Sequence, residues 1–243
     1  MKIAGIIPAR YASGRLPAKA LADIGGKPMI QRVYEQALLC KDLSDLIVAT
    51  DHEEIYETVK QFGKVVMTSD AHQSGTDRCA EAINHLEKPV DFIINIQGDE
   101  PFIQPAQISL LASVLNPETE LATLVKKIDS EEVLFNPNTP KVLLSQQSEA
   151  IYFSRSTIPY IRGAAPNEWL GKHTFYKHIG IYAYRSDILE KITKLPQSSL
   201  EMAEQLEQLR WIENGYRIKA AITNIESIGI DTQEDLEKAR KLV

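Results

Sequence analysis

Residues 2–21 read Lys2-Ile3-Ala4-Gly5-Ile6-Ile7-Pro8-Ala9-Arg10-Tyr11-Ala12-Ser13-Gly14-Arg15-Leu16-Pro17-Ala18-Lys19-Ala20-Leu21. The first six are a short apolar run suited to a buried strand. The run then breaks into a loop carrying Arg10, Arg15 and Lys19 among prolines and small residues. Pro8 and Pro17 fix φ along it. Ala12, Ser13 and Gly14 allow a close approach of backbone. Three cations cannot be buried unpaired without costing several kcal/mol each. They therefore face solvent or an anion, and backbone amides with cations in such a loop can wrap a polyphosphate.

The pattern continues outward from that loop. PMIQRVYEQALL, from Pro28, has helical spacing at Ile30, Val33, Tyr34, Ala37 and Leu38. LIVAT at 46–50, VVMT at 65–68 and FIINIQ at 92–97 are short buried strands. Helices are expected from Asp51-His52-Glu53-Glu54, from Thr76 to Leu86, and from Gln104-Pro105. This alternation predicts an α/β fold with a mostly parallel central sheet flanked by helices. Ligands in such folds bind beyond the carboxyl ends of the strands. That edge receives the cationic loop, Asp51, Ser74-Gly75-Thr76 and Gln97-Gly98-Asp99-Glu100.

The rhythm changes near residue 120. LATLVKKI, KVLL, AIYFS and HIGIYAYR read as strands, with an irregular Pro- and Gly-rich stretch from Pro159 to Trp169. A helix around Leu189, a longer one over Ser199–Asn214, the strand RIKAAI and a last helix capped by Asp231 or Thr232 follow. The expected organisation is one domain over 1–243. Residues of about 1–120 and 215–243 form the core, and about 121–214 a smaller inserted α+β lobe.

The 243-residue chain is 44% hydrophobic and 25% charged, with a net charge of −6. That balance is ordinary for a soluble domain and speaks against broad nucleic-acid binding. No segment approaches the roughly 20 apolar residues of a membrane span. Cys40 and Cys79 lack zinc-site spacing. The dinucleotide fingerprint GxGxxG is absent, and Gly25-Gly26-Lys27 has neither the spacing nor the hydroxyl residue of a Walker A motif.

Asp99 follows a buried strand and a glycine, where a carboxylate can hold a divalent cation over phosphates. Asp231 is a second candidate, although it can equally cap the last helix. By their residue chemistry alone, His178 reads as structural and Glu207-Gln208 as an exposed helix face. Cations and carboxylates at one sheet edge are coherent with phosphoryl or nucleotidyl transfer.

The ordered set IIPARYASGRLPAK, VATD (48–51), MTSDAHQSGTDR (67–78), NIQGDEP (95–101), NPNTPKV (136–142), YFSRSTIP (152–159), KHIGIYAYR (177–185), LEQLRWIENG (206–215) and GIDTQEDLEKA (229–239) resembles the 3-deoxy-manno-octulosonate (Kdo) cytidylyltransferases. Gly14 stands where Thr or Ser is usual, and Ala18 where Gly is common. The resemblance implies a Rossmann-like nucleotidyltransferase fold and transfer of CMP from CTP to Kdo, with pyrophosphate released, in lipopolysaccharide biosynthesis. It implies catalytic roles for Arg10, Lys19 and Asp99, and nucleotide contacts from Arg10, Arg15, Lys19, Ser74, Gly75 and Gln97. Mg2+ would sit on Asp99 and Asp231. Kdo would be held by Arg155, Arg162, His178, Tyr182, Glu207 and Gln208. The resemblance further implies that the 1–120 and 215–243 core binds the nucleotide and the 121–214 lobe the sugar and the partner subunit, in a cytoplasmic homodimer with no nucleic acid bound and no membrane insertion. The alternatives are a cytidylyltransferase for sialic acid or amino-Kdo, and a non-catalytic nucleotide-binding or assembly protein. A metal-dependent glycosyltransferase is disfavoured because Asp-x-Asp is missing at Asp99.

Overall fold

Strand β1 (Ile3–Ala9) lies inside a sheet, buried along nearly its whole length in a computed structural model that describes residues 1–12, 16–226 and 228–243. Its run of small and branched apolar residues suits a strand covered on both faces. The chain then makes a two-residue ribbon, β2 (Asp23–Ile24) and β3 (Lys27–Pro28). Gly25 and Gly26 form its turn at φ 58° and 81°, a conformation costly for other residues. Next come α1 (Met29–Leu38), β4 (Asp45–Thr50), α2 (Glu53–Val59) and β5 (Val65–Met67). After them run α3 (Gly75–Ala82), β6 (Phe92–Asn95) and α4 (Pro105–Ser113).

The second half contains β7 (Leu121–Lys127), α5 (Glu131–Phe135), β8 (Lys141–Leu144), β9 (Ala150–Ser154) and α6 (Trp169–Lys172). It continues with β10 (Tyr176–Arg185), α7 (Ser186–Ile192), α8 (Ser199–Glu204) and α9 (Gln208–Glu213), and ends with β11 (Ile218–Thr223) and α10 (Gln233–Arg240).

The main sheet has the order β11-β7-β10-β6-β1-β4-β5, with β8 and β9 joined to it through β10. β1 pairs in parallel with β4 and β6, β4 with β5, and β7 with β11. Only β10 runs against its neighbours along this row, antiparallel to both β6 and β7. The stretch expected as an inserted lobe thus donates β7 and β10 to the central sheet itself, while β8 and β9 extend it. Pattern reading could not place these strands, because which edge a strand joins depends on pairing distant in sequence.

Helices cover both faces. On one face α1 buries Met29, Ile30, Val33, Tyr34 and Ala37, and α4 adds Ile108 and Leu111. On the other, Cys79 and Ala82 of α3 pack with Leu189 of α7 and Leu209 and Trp211 of α9. Trp211 meets Tyr182 and Tyr184 edge-on, at centroid distances of 5.1 and 5.7 Å. Each such buried aromatic contributes roughly 1.5–3 kcal/mol through area removed from water. No helix among the described residues is long and apolar enough to cross a membrane.

Two expected helices are shorter than their patterns. Helix α3 stops at Ala82 and tightens into a 3-10 turn over Ile83–His85. The helix expected over Ser199–Asn214 is broken in two at Gln205, which takes a left-handed conformation with φ 53°. Tertiary bonds hold the break. The Glu204 carboxylate accepts from the Ser154 hydroxyl at 2.6 Å and the Arg155 N–H at 2.9 Å. The Arg155 guanidinium donates to the backbone oxygens of Glu204 and Gln205, at 2.7 and 3.3 Å. A cation there satisfies carbonyls that the end of α8 leaves unpaired.

Candidate active site

The carboxyl ends of β1, β4 and β6 point to one edge because these strands are parallel. The loops after β1 and β6 and the segment leading into α3 enclose a cleft of about 360 Å³ at that edge. Pro8, Ala9 and Arg10 line it from β1, and Gln97, Gly98 and Asp99 from the turn after β6. Ser74 and Gly75 contribute from the start of α3, with Lys19 and Asp231 opposite. Gly98 is required by close approach, since a Cβ there would lie 2.7 Å from the Pro8 carbonyl oxygen. Ser74 caps α3, its hydroxyl accepting from the Asp77 N–H at 3.1 Å, and the Asp77 carboxylate accepts from the Ser74 N–H. This reciprocal cap leaves the positive end of the helix facing the cleft.

Lys19 joins two carboxylates. Its Nζ donates to Asp99 Oδ2 at 2.6 Å and to Asp231 Oδ1 at 3.1 Å. The Ile230 N–H donates to the Asp99 carbonyl at 2.9 Å, which ties the two acidic segments together. Thr232, not Asp231, caps α10, its hydroxyl accepting from the Asp235 N–H at 3.2 Å. The Asp231 side chain is thereby turned toward Lys19. Ala18, at φ 53°, leads into the Lys19 turn, and an alanine there costs on the order of 1 kcal/mol relative to relaxed backbone. Arg10 is exposed at the mouth of the cleft, and Arg15 lies outside the described residues.

Among the described residues no group of three or more His, Cys, Asp or Glu side chains gathers as a metal site. Asp99 and Asp231 nonetheless bring hard anionic oxygens to a single cation. That donor set suits Mg2+, which binds one or two carboxylates and completes its shell with phosphate oxygens and water.

His72, Gln73 and Arg78 line the cleft although the sequence reading did not single them out. Arg78, 3% exposed, anchors the cleft wall. Its guanidinium pairs with Asp51 Oδ2 at 2.7 Å and donates to the Thr68 hydroxyl at 2.5 Å. The other Asp51 oxygen accepts from the Tyr11 N–H at 3.2 Å. Asp51, expected only as a polar group at a strand end, braces the cationic loop. The available signal was a cation one turn after Ser74 on the buried side of a helix.

The six residues expected to hold the sugar do not line this cleft, and they fall into two groups. Glu207, Gln208, His178 and Tyr182 cluster beside α3. Glu207 accepts from the Thr76 hydroxyl at 2.8 Å, and burial pushes its carboxyl up against the lowering effect of Thr76 and Ser74. Gln208 Nε2 and the Tyr182 hydroxyl are buried with no hydrogen-bond partner among the described residues. Each such orphan costs about 1–3 kcal/mol unless a ligand satisfies it.

A bulge between Ile179 and Tyr182 in β10 aims His178 and Tyr182 at each other, with ring centroids 5.0 Å apart. The Thr123 hydroxyl donates to the Ile181 carbonyl at 2.7 Å, so it accepts from His178 Nε2–H at 2.9 Å. Burial keeps the His178 imidazole neutral, pushed down to about 3. The second group stands apart. Arg155 spends its guanidinium on the α8–α9 break and on the Pro137 carbonyl at 3.2 Å. Arg162 is exposed on the irregular segment after β9.

A cytidylyltransferase family model matches residues 4–228. A 3-deoxy-manno-octulosonate cytidylyltransferase of Cytophaga hutchinsonii is 60% identical over 238 residues, covering 97% of this chain and 95% of its own length. One from Parabacteroides distasonis is 61% identical over 246 residues, covering 98% of this chain and 97% of its own. A solved CMP:2-keto-3-deoxy-manno-octonic acid synthetase complexed with CTP is 43% identical, with a TM-score of 0.92 over 100% of this chain and 98% of its own. A glucose-1-phosphate thymidylyltransferase of Bacillus anthracis, 18% identical with a TM-score of 0.66, shares the fold. The chain belongs to the 3-deoxy-manno-octulosonate cytidylyltransferase family.

Proposed function

We propose that this chain transfers CMP from CTP to the anomeric hydroxyl of Kdo, releasing pyrophosphate, and so activates Kdo for lipopolysaccharide biosynthesis. The observation that carries the proposal is the pairing of Lys19 with Asp99 and Asp231 at the mouth of the strand-end cleft, in a chain of this family. In the reaction the C2 hydroxyl oxygen bonds to the α-phosphorus, the bond from that phosphorus to the β-phosphate oxygen breaks, and pyrophosphate leaves with the electron pair. The hydroxyl proton is released.

Arg10 and Lys19 are read as the triphosphate clamp, with Arg15 as its third cation. Cations aimed at the departing pyrophosphate stabilise charge that grows in the transition state. Ser74, Gly75 and Gln97 are read as the nucleotide wall. Asp99 and Asp231 would hold Mg2+, which when bound offsets phosphate charge.

Glu207, Gln208, His178 and Tyr182 are read as the sugar subsite. The two orphan groups at Gln208 and Tyr182 support that reading, because sugar hydroxyls would complete them. Arg162 is retained as a sugar contact on the resemblance, whereas the bonds of Arg155 favour a bracing role. We read the 121–214 stretch as contributing to a homodimer, which the exposure of Phe135, Ile151, Tyr160 and Met202 supports. A cytoplasmic location follows from the family resemblance.

The deciding experiment is a pyrophosphate-release assay crossing CTP, UTP, ATP and GTP with Kdo, amino-Kdo and sialic acid, with and without Mg2+. The expected result is release with CTP and Kdo that needs Mg2+. Folded protein giving no release with any sugar acid removes the enzyme assignment, and release with another acid in place of Kdo reassigns the acceptor.

A further inference from the structure

We infer that Tyr11 and His52 are positioning residues, whose stacked rings pin the base of the cationic loop and so set where Arg10 and Lys19 stand for the triphosphate. The inference rests on the proposed reading of those two cations as the phosphate clamp.

The two rings meet because β1 and β4 are parallel neighbours. Their last paired residues are Ala9 and Thr50, and Tyr11 and His52 each follow by two positions. The rings stack with centroids 3.7 Å apart and planes inclined by 17°. Two flat rings in contact fix tilt as well as separation. His52 is itself held in place as the N-cap of α2. Its ring nitrogen Nδ1 accepts from the Glu54 N–H at 3.3 Å, and its carbonyl accepts from the Tyr56 N–H at 3.0 Å. Helix α2 thus supplies a fixed plate on which Tyr11 lies, while the other side of Tyr11 packs against the apolar core.

The backbone of Tyr11 carries this constraint to the cations. Its N–H donates to Asp51 Oδ1 at 3.2 Å, and Asp51 is in turn paired with Arg78 at 2.7 Å. Its carbonyl accepts from the Ala18 N–H at 3.1 Å. That bond draws the chain entering Lys19 against the chain leaving Arg10. A shift at Tyr11 therefore moves both cations together, and small misplacements of groups that act on a transition state are costly. Neither ring is among the residues that line the cleft, so their influence passes through the backbone they hold.

The two duties of His52, capping and stacking, can be separated. His52→Asn keeps a capping oxygen and discards the ring, whereas His52→Phe keeps a ring and discards the cap. On the full chain, melting temperature, hydrogen exchange at the Ala18 amide by NMR, and kcat with KM for Kdo in the pyrophosphate-release assay are measured for each. In His52→Asn the melting temperature should stay near wild type while Ala18 exchange quickens about fivefold. Its kcat should fall about tenfold with KM for Kdo unchanged. In His52→Phe the melting temperature should fall, with exchange and kcat near wild type. A merely structural role predicts the opposite order, kcat following the melting temperature. Tyr11→Phe should retain wild-type kcat. Tyr11→Leu should behave as His52→Asn does, and the two combined should fall no further than the worse of them, since one stack is lost in each case. The inference is overturned if His52→Asn keeps wild-type kcat, or if its kcat falls while Ala18 exchange is unchanged. Folded wild type that releases no pyrophosphate would instead remove the transferase reading, and Ala18 exchange in the two His52 variants would still decide whether the stack pins the loop.

Discussion

The Thr76 hydroxyl donates to a Glu207 carboxylate oxygen at 2.8 Å and so joins the first turn of α3, on the strand-end cleft, to the start of α9, beside the orphan groups. Thr76 is buried and also meets the Tyr184 hydroxyl at 3.3 Å. Thr76→Val removes the donor at nearly constant volume. We expect a loss of about 1–3 kcal/mol in urea unfolding, together with weaker use of both CTP and Kdo. Unchanged stability with unchanged kinetics would make the bond incidental.

The proposed cationic clamp predicts a different signature. Arg10→Ala and Lys19→Ala should each lower turnover by roughly a hundredfold, about 3 kcal/mol of transition-state stabilisation, while circular dichroism stays that of wild type. Near-normal turnover in both would reduce these charges to surface solubility.

Asp99→Asn keeps the size of the side chain and removes its charge. Activity should fall severely and the melting temperature shift little, because the Asn amide oxygen can still accept from Lys19, which also keeps its bond to Asp231. Asp231→Asn should behave likewise, since Thr232 caps α10 and the substitution leaves that cap in place. Full Mg2+-dependent turnover in Asp99→Asn would rule out the metal role.

Gln208 and Tyr182 should trade stability against sugar use. Tyr182→Phe deletes a buried hydroxyl with no partner among the described residues, so it should leave unfolding stability unchanged or raised. Kdo use should weaken in Tyr182→Phe and in Gln208→Ala, with sugar-free CTP binding by calorimetry close to wild type. A matching loss of CTP binding would reject the division of the site into two substrate regions.

His178 sets a pH dependence whose sign is determined. Its folded value, about 3, lies below the ordinary 6.5, so between those values the unfolded chain binds the extra proton. Stability from this group is therefore whole above about 6.5 and is lost progressively as pH falls toward 3. His178→Gln should flatten the fall in melting temperature across that window. Parallel profiles for the two proteins would show that the imidazole is not held neutral.

Much of the architecture is local, and the residues declare it. The apolar runs of β1, β4, β5 and β6, the helical spacing of α1 and the rule that ligands gather beyond parallel strand ends together bring Arg10, Lys19, Ser74, Gln97 and Asp99 to one edge. Short-range sterics and hydrophobic periodicity suffice for that. Three features were decided only in three dimensions. β10 enters the sheet antiparallel between β6 and β7, a pairing that no local pattern encodes. The left-handed Gln205 breaks a continuous helical pattern because Ser154 and Arg155, some 50 residues earlier, hold Glu204 and its neighbour in place. Lys19 meets Asp99 and Asp231 across separations of 80 and 212 residues. Residue type determined which charges were available to this chain. Which of them neutralise one another depended on distances created only when the sheet closed.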